Sequence, residues 1–141
     1  MLAGLRMNPR QNECIRKEET DMDKQVVYFV LDFVINEGKL AEFESTARTM
    51  TVGSQKEHGT IGYEWYFSKD RKQCRLLESY VDANAVLAHL SGSVVQEWVP
   101  KIQQYSSIAR FEVYGNPGPK ATEILEGIEA KIFEHRIGLS R

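Results

Sequence analysis

The residues that decide the fold run from Ile61 to Val81 and read IGYEWYFSKDRKQCRLLESYV. Ile61, Tyr63, Trp65 and Phe67 alternate with Gly62, Glu64 and Tyr66, the period of two that marks a pleated strand. Ser68-Lys69-Asp70-Arg71-Lys72 is a polar turn. Gln73–Val81 then returns with Leu76, Glu78 and Tyr80 on one face, so the pair predicts a β-hairpin. Upstream, Gln25 to Ile35 (QVVYFVLDFVI) is dense in Val, Phe and Ile and predicts a strand buried on both faces. Asn36-Glu37-Gly38 breaks that run, with Asn36 the candidate N-cap of a helix. Its apolar positions Leu40, Phe43, Ala47 and Met50 follow helical spacing, and Gly59 is the candidate residue just past its end.

Downstream of the hairpin, Asp82 caps a short helix, DANAVLAHL, whose apolar stripe is Ala83, Val86, Leu87 and Leu90, with His89 on its flank. Ser93 and Gln96 have capping-box spacing for the next helical piece, which Pro100 divides. Ser107 to Tyr114 (SIARFEVY) predicts a fourth strand, and Gly115-Asn116-Pro117-Gly118-Pro119 stops it. ATEILEGIEAKIFEHR then predicts an appended helix, with Leu125, Ile128 and Ile132 on one face. The order β-α-β-β-α-β plus one helix is an α+β, ferredoxin-like arrangement, an antiparallel four-stranded sheet with helices on one face. Residues 1–24 read as a polar N-terminal extension, 25–115 as the domain and 116–141 as a C-terminal helical extension. Helices cover one sheet face only, yet the strands carry apolar and aromatic residues on both. The other face therefore calls for a second copy, and a homodimer is expected.

Composition excludes several partners. Among 141 residues, 18 basic and 20 acidic side chains leave a net charge of −2, without the basic excess that phosphate backbones require. A 42% hydrophobic content is too high for disorder. No apolar run reaches the roughly 20 residues of a membrane helix, and residues 1–24 lack the apolar core of a secretory signal. Cys14 and Cys74 form no CxxC, which fits a reducing compartment, and a cytoplasmic location is expected. His58, His89 and His135 sit on separate elements with no metal-ligand spacing, so neither metal nor cofactor is expected.

The chemistry-bearing candidates are few. His89 can exchange a proton near neutral pH. Glu78, on the strand face of Leu76 and Tyr80, is a carboxylate facing burial, which requires a partner or a raised pKa. A salt bridge to Arg75 or Arg110 is its structural alternative. Tyr63, Trp65 and Tyr80 offer aromatic surface for a flat ligand, though such residues in a hairpin also serve packing. Asp32, inside an apolar strand, points to a structural hydrogen bond or a bulge.

Gly59-Thr60-Ile61-Gly62-Tyr63-Glu64-Trp65-Tyr66, the turn Ser68-Lys69-Asp70, and Glu78-Ser79-Tyr80-Val81-Asp82-Ala83-Asn84-Ala85 with Ala88-His89-Leu90 resemble the antibiotic biosynthesis monooxygenase family. The resemblance covers residues 25–115 and implies a dimeric α+β barrel with a pocket between sheet and helices. It implies oxidation of a small phenolic, quinol or polyketide-like substrate by O₂ without metal or flavin. His89 matches the family's helical His as acid/base, and Trp65 its strand Trp, but Ile61 stands where some members carry a substrate-contacting Asn. In the related haem-degrading branch, an Asn, a Trp and a His occupy the places taken here by Leu31, His89 and Val99, so haem breakdown is not implied. Two further readings stay open: an isomerase or decarboxylase on the same scaffold, and a non-catalytic dimer that binds a small ligand. A roomy pocket on which His89 and Glu78 converge distinguishes an enzyme from that binder.

Overall fold

The computed structural model describes residues 8–10 and 26–141, so the segment 1–24 lies outside the described residues except at 8–10. Strand β1 (Val27–Ile35) leads into helix α1 (Leu40–Gln55), the hairpin β2 (Thr60–Phe67) and β3 (Gln73–Tyr80), then helix α2 (Ala83–Ser91). A π-helical turn, α3 (Val94–Trp98), runs directly into α4 (Val99–Ile102). Strand β4 (Ser106–Tyr114), helix α5 (Pro119–Gly127) and strand β5 (Lys131–Phe133) complete the chain. The sheet order is β2-β3-β1-β4-β5, antiparallel throughout except for the parallel β4–β5 pair. This is the expected ferredoxin-like α+β fold with a fifth strand added.

The fifth strand replaces part of the expected terminal helix. α5 ends at Gly127, Glu129 takes a left-handed backbone (φ 65°), and Lys131–Phe133 turns extended to pair with Glu112–Tyr114. A helical stripe at Leu125, Ile128 and Ile132 fits the spacing but not the geometry. Leu125 is buried, Ile128 is exposed, and Ile132 packs against the core from a strand.

Burial in β1 is strictly alternating. Val27, Phe29, Leu31, Phe33 and Ile35 face the helices, whereas Tyr28 and Val34 are 51% and 41% exposed on the outer face. The strand is therefore buried on one face within the chain, not two. Asp32, on the outer face, receives hydrogen bonds from Arg75 Nε (2.6 Å) and Nη2 (3.0 Å), with Arg110 Nη1 at 3.7 Å. The β1–β4 register shifts between Asp32 and Phe33, so both a polar contact and a bulge accompany this residue.

Local signals are met unevenly. Asp82 accepts a hydrogen bond from Ala85 N (2.8 Å) and caps α2. Lys39, not Asn36, stands at the N-cap of α1, and Ser93 makes no side-chain cap. Gln96 Nε2 donates instead to the carbonyl of Leu90 (2.9 Å). Gly59 lies beyond the end of α1, where a Cβ would come within 2.3 Å of Ala85 Cβ. Close packing of α2 against the start of β2 is what requires glycine there. Ile61 is another departure: a register shift between Thr60 and Gly62 leaves it 58% exposed, off the face of Tyr63 and Trp65.

Candidate functional site

The apolar stripe of α1, Phe43, Ala47 and Met50, continues by helical steps to the buried Ser54 and then to Glu57 in the turn after the helix. On α2 the buried residues are Ala85, Val86, His89 and Leu90, so His89 lies on the buried stripe rather than its flank. Strand β3 contributes Glu78 from the face it shares with Leu76 and Tyr80, and β2 contributes Tyr63 opposite Glu78 in the hairpin register. Four elements thus bring one polar cluster into the core.

His89 is 2% exposed. Its Nδ1 lies 2.8 and 3.0 Å from the two carboxylate oxygens of Glu57, and its Nε2 lies 3.9 Å from Glu78 Oε1. The rings of Tyr80 and Tyr63 flank the imidazole at centroid distances of 5.0 and 6.0 Å. Burial pushes the imidazole pKa down, but the hydrogen bond that Nδ1 donates to Glu57 and the charges of Glu78 and Glu57 outweigh it, leaving His89 raised. Burial pushes Glu78 up to about 7, against the pull of the facing imidazole. Its carboxyl thus holds a proton into the neutral range. Neither Arg75 nor Arg110 pairs with it; both serve Asp32 on the opposite face. Tyr63 and Tyr80 are raised well above ordinary phenols, first by burial and then by the Glu78 charge, so both stay neutral.

A cavity of about 720 Å³ opens onto this cluster. Its buried end carries His89, Glu78 and Tyr63, and Phe29, Leu31 and Ile102 are among the apolar residues of its wall. That volume is in the range of small-molecule sites. Val95 and Val99 reach the cavity from the π-helical turn and the helix after it, and Pro100 falls in the first turn of that helix. Such turns occur often at functional sites.

Of the five candidates, His89, Glu78 and Tyr63 line the cavity, while Tyr80 stands behind the imidazole, fully buried. Trp65 does not line it. Its indole packs among Phe33, Phe43 and Tyr63, and its Nε1 donates to Thr51 Oγ1 (2.9 Å). Glu57 escapes sequence reasoning because 32 residues separate it from His89. Extending the α1 stripe beyond Met50 is the signal that reaches it. Cys74 is no rival nucleophile: burial pushes its thiol up to about 12. Among the described residues no group of three His, Cys, Asp or Glu could hold a metal ion, and no helix is long and apolar enough to cross a membrane.

Comparison with known proteins agrees with this architecture. MupZ from Pseudomonas fluorescens is similar in structure, with a TM-score of 0.73 and 26% identity over 83% of this chain and 95% of that one. SnoaB from Streptomyces nogalater, a cofactor-independent oxygenase, shares the fold at TM-score 0.59 and 17% identity, over 67% of this chain and 96% of its own. A putative antibiotic biosynthesis monooxygenase from Nitrosomonas europaea does so at TM-score 0.58 and 18% identity, over 68% and 94%. No curated protein matches the sequence at a significant level. The family model described as antibiotic biosynthesis monooxygenase matches residues 27–101, more than half of the chain and every element that builds the polar cluster. The chain belongs to the antibiotic biosynthesis monooxygenase family.

Proposed function

We propose that this protein is a cofactor-independent monooxygenase acting on a small phenolic, quinol or polyketide-like substrate bound in the cavity beside His89. The observation that carries the reading is the Glu57–His89 dyad facing Glu78 at the buried end of a roomy apolar cavity. Glu57 fixes the imidazole through Nδ1, which leaves Nε2 to take a proton from a phenolic hydroxyl or an acidic ring methylene. The resulting anion is electron-rich enough to reduce O₂ directly. For a methylene flanked by aromatic rings, CH₂ becomes C=O with one oxygen atom of O₂, and the other leaves as water. Four electrons leave the carbon and four enter O₂. Glu78, protonated near neutrality, donates a hydrogen bond to the substrate oxygen on which negative charge gathers. Tyr63 contacts the ring, with Tyr80 supporting His89 and Trp65 supporting Tyr63 from behind at 5.7 Å.

The roomy cavity with His89 and Glu78 converging on it supports an enzyme over a non-catalytic binder. A homodimer formed through the outer sheet face belongs to the same proposal. Tyr28, Val34, Tyr66 and Leu77 are exposed there at 51%, 41%, 57% and 39%. An apolar surface of that kind favours a partner, and a monomeric mass by light scattering at micromolar concentration would remove it.

Oxygen uptake with a panel of quinols and anthrone-type phenols, comparing wild type with His89→Gln, tests the reaction. Uptake lost in the variant supports it. Equal turnover removes His89 from the mechanism, and no uptake on any substrate removes the activity. A second reading, proton transfer within the substrate without O₂, is favoured by the facing acid and base and by Ile61 turning outward where an Asn contacts substrate in some relatives. Deuterium incorporation from D₂O into the same panel under anaerobic conditions, dependent on His89, would select it.

A further inference from the structure

We infer that the segment following β4, which lies outside the family match, forms a fixed outer wall of the cavity. Its residues Ile128 and Glu129 select for an elongated ligand whose far end is uncharged. This rests on reading the cavity as the substrate site. The family match ends at residue 101, whereas α5 and β5 occupy Pro119–Gly127 and Lys131–Phe133. Of the segment between them, residues 128–130, Ile128 and Glu129 line the cavity that holds His89 and Glu78.

The wall is tied at both ends. Ala121 and Leu125 are buried, and a Cβ at Gly118, the residue before α5, would come within 3.3 Å of Ala83 Cβ on α2. Ala130 N donates to the carbonyl of Leu125 (2.9 Å), Gly115 N donates to that of Phe133 (2.9 Å), and β5 pairs with β4. Between these anchors Glu129 is held at φ 65°, a conformation that only surrounding structure sustains in a residue with a side chain. Ile128, at the turn, is 56% exposed although it borders the cavity, which places it at the mouth and not in the core.

The lining therefore changes character along its depth. His89, Glu78 and Tyr63 are buried, whereas the lining residues Gln103, Ser107, Ile128 and Glu129 are exposed where the cavity meets solvent. A ligand that reaches from one end to the other carries its reacting oxygen at the buried end, an apolar body, and polar atoms at the mouth. Arg110 at the rim is already engaged by Glu112 and Asp32, while Glu129 makes no ion pair among the described residues. The uncompensated charge at the mouth is negative, which disfavours an anionic tail.

Two fluorescent probes that share a skeleton test this on the full chain: neutral N-phenyl-1-naphthylamine and anionic 1-anilinonaphthalene-8-sulfonate. Ile128→Trp narrows the mouth and is expected to weaken the neutral probe about fivefold or more. Ile124→Trp, also exposed but not lining the cavity, is expected to leave binding within about twofold. Glu129→Gln is expected to raise affinity for the anionic probe about threefold relative to the neutral one at low salt, and the gain disappears in about 0.5 M salt. Equal effects of the two tryptophans, an unchanged probe ratio, or no uptake of the neutral probe by wild type overturns the inference. Oxygen uptake measured alongside separates the two claims. Uptake without dependence on Ile128 removes the wall and leaves the reaction. Probe binding that depends on Ile128 without uptake does the reverse.

Discussion

Replacing Glu78 with Gln is expected to stabilise the protein at neutral and alkaline pH. The folded Glu78 carboxyl holds its proton to about pH 7, against 4.5 in an ordinary environment, because it is enclosed in the core. The folded state therefore binds one more proton than the unfolded state between those values, and stability must fall as pH rises through the window. A separation of about 2.5 pH units at 1.36 kcal/mol each gives about 3 kcal/mol. His89 is also raised and acts in the same direction, but its share is fully present below about pH 6.5 and is lost only above it. Asp32, lowered chiefly by its hydrogen bond from Arg75, acts oppositely and near pH 4, below the window. The range from pH 4.5 to 6.5 thus isolates Glu78. Gln matches a protonated carboxyl in shape and cannot ionise. Urea unfolding in half-unit pH steps is expected to show the two proteins nearly equal at about pH 4, about 1 kcal/mol apart at pH 5, and E78Q more stable by about 3 kcal/mol at pH 8. Parallel curves, or an E78Q less stable at pH 8, would refute a protonated Glu78 and with it the hydrogen-bond donor of the proposed mechanism.

Three further outcomes follow from packing and backbone. Gly59→Ala brings a methyl within 2.3 Å of Ala85 and is expected to cost about 1–3 kcal/mol in urea unfolding, whereas Gly127→Ala, with nothing within 4 Å, is expected to cost less than about 0.5 kcal/mol. Glu129→Gly relieves the left-handed conformation at φ 65° and is expected to change stability by about 0 to +1 kcal/mol, with a rise in melting temperature as its readout. Asp32→Asn removes the carboxylate charge from a pair in which Arg75 is half exposed, so a loss under about 1 kcal/mol at pH 7 is expected. That loss is expected to vanish as pH falls through the lowered Asp32 pKa, because protonation then removes the same charge from wild type.

The hairpin, the first strand and the two connecting helices were legible because their signals are local. Period two in Tyr63, Trp65 and Phe67, and helical spacing in Phe43, Ala47 and Met50, each report one element and its buried face. What failed depends on distant residues. Lys131–Phe133 reads as helix in isolation, and only the edge of β4 makes it a strand. The bulge at Thr60–Gly62 turns Ile61 outward, although the alternation of its own strand predicts otherwise. Helical spacing of Ala83, Val86, Leu87 and Leu90 puts His89 on the flank of its helix, yet Glu57 and Glu78 supply the partners that allow it on the buried stripe. No spacing rule joins residues 57, 78 and 89.

That cluster is costly, and the cost argues for chemistry. Glu78 and His89 are both less than a tenth exposed, and neither contributes what an apolar side chain of the same volume would. Beside them the hydroxyl of the fully buried Tyr80 faces the Glu78 carboxyl, a further polar group taken out of water. The site's fold-bearing neighbours show the alternative: Phe29, Phe33 and Phe43 fill the same layer with aromatic contacts and no polar debt. A protein selected for stability alone would extend that aromatic packing to positions 78 and 89. A buried carboxyl and imidazole, backed by the Glu57 carboxylate, give up that stability and gain an acid that holds its proton to about pH 7 beside an imidazole whose pKa is raised, opening on a cavity large enough for a substrate.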